Sequence, residues 1–193
     1  MAIPMNIAPV IRSPRLELVA ATIAHLDAEL SNPEALGRLL DVAVPRGWPP
    51  GDYDRKALEF FRAQLEAAGE SASGWYNWYA IALDAHGRRE ALVAGAGYMG
   101  PPAEDGSVEI GYSVMPAARR RGYATHLVQL LVARAFRFHP VQTVLAHTLE
   151  SNAGSAAVLQ RCGFVRVGPG AEPGTVRYER ARNLDAGCLT GVR

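Results

Sequence analysis

VEIGYSVMPAARRRGYATHLVQLLVARAFRFHPVQTVLAHTLESNAGSAAVLQRCGF, residues 108–164, is the stretch that decides the fold. Its first seven residues alternate apolar side chains with polar or small ones, which is the period-two pattern of a β-strand. Pro116 ends the strand because proline has no backbone N–H to donate to a ladder. The apolar run at residues 127–138 is long enough for a helix. The predicted order is therefore a strand, a basic turn and a helix.

The turn between this strand and helix contains three consecutive arginines followed by Gly122. Backbone N–H groups in the first turn of a helix have no partner within the helix, and the helix dipole favours negative charge there. Gly122 allows a ligand to approach the backbone closely, and the arginines add positive charge. These features predict a site for a phosphate-bearing ligand.

Two patterns in this stretch resemble the signatures of a known family. The sequence R-x-x-G-x-A at residues 119–124, after a strand, resembles the acyl-CoA pyrophosphate loop of the GNAT superfamily of N-acetyltransferases. The sequence N-x-x-S at residues 152–155, followed by GF at residues 163–164, resembles the second signature. The spacing is similar to that of the RimJ/RimL-like branch. The opening SPRLEL at residues 13–18 resembles the family less closely.

The resemblance implies a fold and a set of contacts with acetyl-CoA. The fold is an α/β (α+β) domain whose mixed, mostly antiparallel sheet is flanked by helices and split by the co-substrate. Backbone N–H groups of the loop would bind the pyrophosphate, and an N–H at the end of the strand would polarise the thioester carbonyl. The residues implied are Arg119, Arg120, Arg121, Gly122, Tyr123, Ala124 and Thr125 in the loop, Val114 and Met115 at the strand end, and Asn152 on the CoA arm. No metal is implied.

Glu109 is the candidate catalytic base. It lies on the non-hydrophobic parity of the strand, where the family often places its catalytic carboxylate. A solvated or salt-bridged strand glutamate is the alternative role. A lysine-like amine, with a pKa of about 10.4, requires roughly 4–5 kcal/mol for deprotonation at pH 7, whereas an α-amine near 7.7 requires far less. The chemistry therefore favours an acceptor amine of low pKa, namely a peptide N-terminus, an amino acid or an amino sugar.

The general acid is left unassigned by the sequence. Many GNAT enzymes have a tyrosine seven residues after the signature asparagine, and Leu159 occupies that position here. Ser155 is the nearest substitute toward the departing thiolate, and an ordinary residue of the helix is its alternative role. Asn152 is expected to cap that helix, a role compatible with binding CoA.

Several other residues have both a functional and a structural interpretation. Trp48, in a proline-rich loop, is a candidate to line the acceptor pocket. His126 and His147 are more often structural than catalytic, and Cys162 is expected to be a small buried residue. The GxGxxG match at residues 95–100 is followed at once by two prolines, so a small-residue strand and turn are expected rather than a dinucleotide-binding motif.

Composition places further bounds on the function. The chain has 193 residues, 49% hydrophobic and 20% charged, with a formal net charge of +1, which suits one domain and argues against a general nucleic-acid binder. No signal peptide or membrane span is expected, and two cysteines give no metal spacing or disulfide framework. We expect a cytoplasmic enzyme without membrane or nucleic-acid partners. The oligomeric state stays open, with a homodimer among the options.

The remaining elements follow from periodicity and from turn residues. One domain over residues 1–193 is expected, with residues 1–12 and 181–193 as loose ends. Further strands are expected at residues 15–19, 75–83, 91–99, 142–148 and 175–179, and helices at residues 22–40 (broken at Asn32-Pro33), 53–68 and between Asn152 and Gly163, with loops at 44–51 and 168–174.

Two other functions stay open at this level. An acyl-CoA-binding module with little or no catalysis would fit the missing tyrosine. An RNA-binding module would use the arginines, although overall neutrality disfavours it. Residues 19–75, which should shape the acceptor pocket, contain no specificity pattern, so the acceptor itself is not predicted.

Overall fold

The computed structural model of the protein describes residues 8–51, 53–69 and 72–182. Within these residues, eight strands and five α-helices are found. The strands are β1 Val10–Arg12, β2 Leu16–Ala20, β3 Asn77–Leu83, β4 Arg89–Tyr98, β5 Ser107–Val114, β6 Thr143–Leu149, β7 Val165–Pro169 and β8 Thr175–Ala181. The helices are α1 Ile23–Ser31, α2 Pro33–Leu40, α3 Arg55–Ala68, α4 Tyr123–Ala135 and α5 Ala153–Arg161.

The strands form one sheet in the order β1-β2-β3-β4-β5-β6-β8-β7. All neighbours are antiparallel except β5 and β6, which are parallel. The β5–β6 ladder has three pairs and ends where Glu109 meets Leu145. Beyond it, residues 110–114 stay paired only to β4 and residues 146–149 only to β8. We call the space between these two segments the β5–β6 gap. The predicted mixed, mostly antiparallel α/β sheet is confirmed.

Helices cover both faces of the sheet. On one face, the Tyr98 hydroxyl of β4 donates to the Leu131 carbonyl of α4 at 2.6 Å. On the other face, the Tyr79 hydroxyl of β3 donates to Glu29 of α1 at 2.6 Å. We call these the α4 face and the α1 face. Because side chains alternate along a strand, Glu109 of β5 lies on the α1 face.

Asn32 separates α1 from α2 as predicted. Its backbone N–H donates to the Ala28 carbonyl at the end of α1, and its side-chain oxygen accepts from the Glu34 N–H at 2.8 Å at the start of α2. Pro33 is the first residue of α2, where a missing N–H costs no helical hydrogen bond. The predicted break is confirmed.

The GxGxxG match is part of a strand and a turn. Gly95 and Gly97 lie within β4, and Gly100 lies in the turn after it. A Cβ atom on Gly97 would come within 2.0 Å of the Tyr76 carbonyl oxygen, and one on Gly95 would lie 3.2 Å from the Tyr53 ring. Close packing of the neighbouring chain segments therefore explains these glycines, and the dinucleotide-binding alternative is excluded.

Two strands were missed by the sequence analysis. Residues 10–12, expected to be part of a loose end, form β1 and pair with β2. Residues 165–169 form β7, which pairs with β8 at the other edge of the sheet. The apolar residues Val165 and Val167 of β7 are 62% and 48% exposed, so β7 lacks the buried apolar face whose alternation would predict a strand. The remainder of the two predicted ends, residues 1–7 and 183–193, lies outside the described residues, as does Cys188.

Glu29 is a buried carboxylate beneath the loop between α2 and α3. It is 7% exposed, and its two oxygens accept from the Trp48 indole N–H and the Tyr79 hydroxyl. Burial raises the pKa of Glu29, and the hydrogen bonds from Tyr79 and Trp48 oppose this shift only in part. The folded protein is therefore less stable when Glu29 is ionised than when Glu29 is protonated.

Because the folded protein raises this pKa, the contribution of Glu29 to stability is fully present below its unfolded pKa and is lost as the pH rises through the folded value. We predict that Glu29→Gln, which cannot ionise, gains stability relative to wild type as the pH is raised from about 4 to about 8. Denaturant unfolding at several pH values measures this difference. Exposed Glu90 provides the control, because Glu90→Gln should show no such trend. A difference between Glu29→Gln and wild type that is constant with pH would contradict the prediction.

Candidate active site

The loop after β5 presents a row of free backbone donors. A short 3₁₀ turn, Pro116–Ala118, follows β5, and positive φ angles at Arg120 (60°) and Gly122 (81°) turn the chain into α4. The first α-helical hydrogen bond runs from the His126 N–H to the Gly122 carbonyl. Among the described contacts, the N–H groups of residues 120–125 have no protein acceptor. The helix begins earlier than residue 127, so these donors include its whole first turn.

Arg15, just before β2, binds this loop, and the sequence did not predict this contact. Its Nη2 atom donates to the Arg121 carbonyl at 2.9 Å, and its guanidinium lies 5.6 Å from the centre of the Tyr123 ring. The Arg121 guanidinium lies 5.2 Å from the same ring. Arg15 belongs to the opening SPRLEL pattern at residues 13–18, which was the only signal available for it.

The Val114 N–H points into the β5–β6 gap at the end of β5. The Met115 N–H donates to the Val93 carbonyl of β4, and the Met115 carbonyl accepts from the Ala118 N–H. Neighbouring residues of an antiparallel strand alternate in hydrogen-bonding direction, so the Val114 N–H is directed away from β4. The Val114 carbonyl accepts from Arg119 Nε at 3.2 Å. Of the two residues predicted at the strand end, Met115 therefore has no free N–H to polarise a thioester carbonyl.

Glu109 and His147 form a pair on the α1 face. His147 Nδ1 lies 2.9 Å from Glu109 Oε1, joining β5 to β6 at the point where their ladder ends. The side chains are 35% and 19% exposed respectively, so the pair is accessible from solvent. On β8, Arg177 is opposite His147 and binds Glu179 at 2.7 Å. Sequence reasoning named Glu109 and His147 separately, and the structure brings them together.

Asn152 and Ser155 lie at the start of α5, across the gap from β5. The Asn152 side-chain oxygen accepts from the Ser155 N–H at 3.0 Å, which confirms the predicted helix cap and leaves the amide NH₂ available to a ligand. The Ser155 hydroxyl lies 2.9 Å from the Tyr112 hydroxyl of β5. Leu159 is fully buried and contributes no polar group. Tyr112 was not identified as a site residue from the sequence, because in the alternating pattern of β5 it falls among the apolar residues that were expected to pack in the core.

The other candidates are mostly enclosed. Trp48 is 8% exposed and contacts the rings of Tyr53 and Tyr79, so it contributes to the loop that covers the α1 face. Burial, and next the charge of Arg15, lower the pKa of His126. Cys162 is 3% exposed and burial raises its pKa, as fits a structural thiol.

Comparison with known proteins gives the family. The family model described as the acetyltransferase (GNAT) domain matches residues 15–165. The chain therefore belongs to the GNAT acetyltransferase family, and it is an acetyl-CoA-dependent N-acetyltransferase. Among curated proteins it is similar to the uncharacterized N-acetyltransferase YjdG of Bacillus subtilis (strain 168), at 28% identity over 151 residues, covering 78% of this chain and 86% of the relative.

Solved structures share the fold at low sequence identity. They include RimL, a ribosomal L7/L12 α-N-protein acetyltransferase (18% identity, 91% of this chain, 95% of that one, TM-score 0.60). A ribosomal-protein-S5-alanine acetyltransferase from Vibrio fischeri matches with 14% identity, 91% and 97% coverage and a TM-score of 0.62. The acetyltransferase MccE, solved with acetyl-CoA and AMP, matches with 12% identity, 88% and 94% coverage and a TM-score of 0.58.

The described residues contain neither a metal-binding cluster nor a membrane-spanning helix. No group of three or more His, Cys, Asp or Glu side chains there is arranged to hold a metal ion. None of the helices in that part of the chain is long and apolar enough to cross a membrane.

Proposed function

We propose that this enzyme acetylates a primary amine of low pKa, either a peptide N-terminus, an amino acid or an amino sugar, by direct attack on acetyl-CoA. The arrangement around the β5–β6 gap carries the proposal. Glu109 and His147 lie on the α1 face, and the Tyr112–Ser155 pair lies on the α4 face. A thioester held in the gap would have a proton acceptor on one side and hydroxyl groups on the other.

The acetyl-CoA contacts follow from the free donors. The unpaired N–H groups of residues 120–125, with the arginines at 119–121, fit a pyrophosphate at the N-terminus of α4. The Val114 N–H fits the pantetheine arm or the thioester carbonyl, and the Asn152 NH₂ fits the arm on the opposite side of the gap. The Met115 N–H is bound to Val93, so Met115 would contact the arm only through its side chain or through its carbonyl, which already accepts from the Ala118 N–H.

Glu109 is assigned the proton of the attacking amine, taken directly or through a water molecule. The amine nitrogen forms a bond to the thioester carbon, the C–S bond breaks with its electron pair going to sulfur, and the amine proton passes to Glu109. His147 holds the carboxylate in place through Nδ1. A positioned base contributes about 10²–10⁴-fold, which suits an α-amine better than a lysine side chain.

Ser155 is assigned to the departing sulfur. Its hydroxyl is the nearest substitute for the tyrosine replaced by Leu159. A thiol has a pKa near 8.5, so a hydrogen bond to the developing thiolate, followed by protonation from solvent, is sufficient at neutral pH.

The acceptor is proposed to approach on the α1 face, beneath the loop that contains Trp48. The fold shared with ribosomal-protein acetyltransferases, together with the sequence spacing, supports placing the chain in the RimJ/RimL-like branch, with a peptide N-terminus as a main candidate. The buried free thiol of Cys162 fits the reducing cytoplasm, where we place the enzyme. Leu159 at the position of the family's tyrosine favours a second candidate, an acyl-CoA-binding module of this family that retains only slow acetyl transfer.

An acceptor screen separates these candidates. Thiol release from acetyl-CoA is measured with peptides, amino acids, polyamines and amino sugars. We expect turnover with at least one amine of low pKa and less with polyamines. Binding of acetyl-CoA without turnover on every amine would favour the binding module.

Replacement of the base gives a sharper prediction. Glu109→Gln should lower kcat by about 10²–10⁴-fold, most strongly at low pH, where the amine is most often protonated. The Kd for acetyl-CoA should stay the same. Exposed Glu104, in the turn before β5, provides the control, since Glu104→Gln should leave kcat unchanged. An unaltered pH–rate profile would remove Glu109 from the mechanism, and a larger loss in His147→Asn than in Glu109→Gln would make the imidazole the proton acceptor.

Replacement of the loop glycine tests the pyrophosphate site. Gly122 and Gly87 have similar positive φ angles, 81° and 74°, and a Cβ on either would have no contact closer than 3.5 Å. Gly122→Val and Gly87→Val should therefore each lose about 1–2 kcal/mol of stability. Only Gly122→Val should weaken acetyl-CoA binding, by on the order of tenfold or more. The strained backbone at residue 122 would displace the N–H groups of the loop from the pyrophosphate that they are proposed to bind. Calorimetry measures both affinities, and equal Kd values would exclude the loop as the site.

A further inference from the structure

The Tyr112–Ser155 hydrogen bond spans the β5–β6 gap. Tyr112 lies on β5, three residues beyond the end of the ladder with β6, and Ser155 lies in the first turn of α5, which follows β6. The two hydroxyl oxygens are 2.9 Å apart, and both residues are half-buried. This contact therefore links the two sides of the gap at the α4 face.

The Tyr112–Ser155 pair leaves one hydroxyl proton for a ligand. The Ser155 backbone N–H donates to the Asn152 side chain. The single phenol proton of Tyr112 has two acceptors within reach, Ser155 Oγ at 2.9 Å and the Ser155 carbonyl at 3.4 Å, and the shorter contact is the stronger hydrogen bond. A serine hydroxyl has one proton and two lone pairs. When Tyr112 donates to Ser155 Oγ, the Ser155 proton has no other protein acceptor among the described contacts. It is then available to a ligand in the gap.

We propose that Tyr112 is a positioning residue for the departing sulfur: it donates to Ser155 Oγ and thereby aims the Ser155 proton at the thiolate of CoA. This inference rests on the proposed function for its place in catalysis. No group is transferred to or from Tyr112. The C–S electron pair goes to sulfur, Ser155 donates a hydrogen bond to it, and solvent later protonates the thiolate.

The environment of Tyr112 keeps its hydroxyl protonated, so the phenol can donate a hydrogen bond. Burial raises the pKa of Tyr112 to about 12, which exceeds the opposing effect of the Ser155 hydrogen bond. The phenol therefore keeps its proton throughout the working pH range. Burial likewise raises the pKa of Tyr98, on the same face of the neighbouring strand, to about 12, but the Tyr98 hydroxyl donates to the Leu131 backbone carbonyl. Tyr98 is thus a matched phenol without a connection to the gap.

The test compares CoA with desulfo-CoA at about pH 10, well above the cysteine pKa of about 8.5, so that the less acidic CoA thiol is also largely ionised. Calorimetry on wild type should show severalfold tighter binding of CoA. Tyr112→Phe and Ser155→Ala should each lose most of that preference, and the double variant should lose no more than Ser155→Ala. Tyr98→Phe should melt at a lower temperature and keep the preference.

Turnover with an amine from the acceptor screen completes the test. Tyr112→Phe should lower kcat by on the order of tenfold with KM little changed, and should have no further effect in the Ser155→Ala background. A wild-type protein that binds CoA and desulfo-CoA equally, or a Tyr112→Phe variant that keeps both the preference and kcat, would overturn the inference.

The two proposals fail in different ways. Absence of turnover on every amine, with the CoA preference lost in Tyr112→Phe, would refute the proposed amine acceptors of low pKa and retain the contact of Tyr112 and Ser155 with sulfur. Turnover that depends on Glu109 but not on Tyr112 would retain the function and refute the positioning role.

Discussion

The site depends on one constraint, namely that β5 loses its neighbour β6 after Glu109 but stays paired with β4 as far as Val114. The Met115 N–H bond to Val93 shows which main-chain groups of β5 are bound to β4, and the alternation leaves those of Tyr112 and Val114 directed into the gap. Unpaired backbone groups that are buried cost free energy unless water or a ligand satisfies them. A pantetheine arm has amide groups of its own and can pair with a strand edge in the way another strand would. The gap therefore fits a ligand of this kind by the same hydrogen bonding that builds the sheet.

The alternation along β5 then places the two proposed parts of the reaction on opposite faces of the sheet. Successive side chains point to opposite faces, so Glu109 meets His147 on one face, and Tyr112 meets Ser155 on the other. A single extended strand passing between them fixes the distance between the proposed proton acceptor and the proposed hydroxyl donors. The acceptor amine and acetyl-CoA can approach from opposite sides without competing for space.

Local patterns predicted local structure well. The strand at residues 108–114, the break at Asn32 and the cap at Asn152 each follow from interactions within a few residues, and each is confirmed. The site pairs could not be predicted in this way. Glu109 and His147 are 38 residues apart, Tyr112 and Ser155 are 43 apart, and Arg15 reaches Arg121 across 106 residues. Such contacts depend on strand order and register, which periodicity does not contain. The edge strands β1 and β7 were missed for a related reason, since an edge strand with exposed side chains has little apolar alternation.

The leucine at position 159 is consistent with this arrangement. Leu159 is fully buried, and a tyrosine there would need a path for its hydroxyl from the core to the gap. Tyr112 brings a phenol to the gap from the strand instead. The Tyr112 hydroxyl contacts the Ser155 hydroxyl, and the Ser155 hydroxyl in turn is the group that would contact a ligand in the gap. A phenol on β5 and a serine on α5 can together replace the single tyrosine of other family members, at the cost of making the position of Ser155 depend on a residue from the opposite side of the gap.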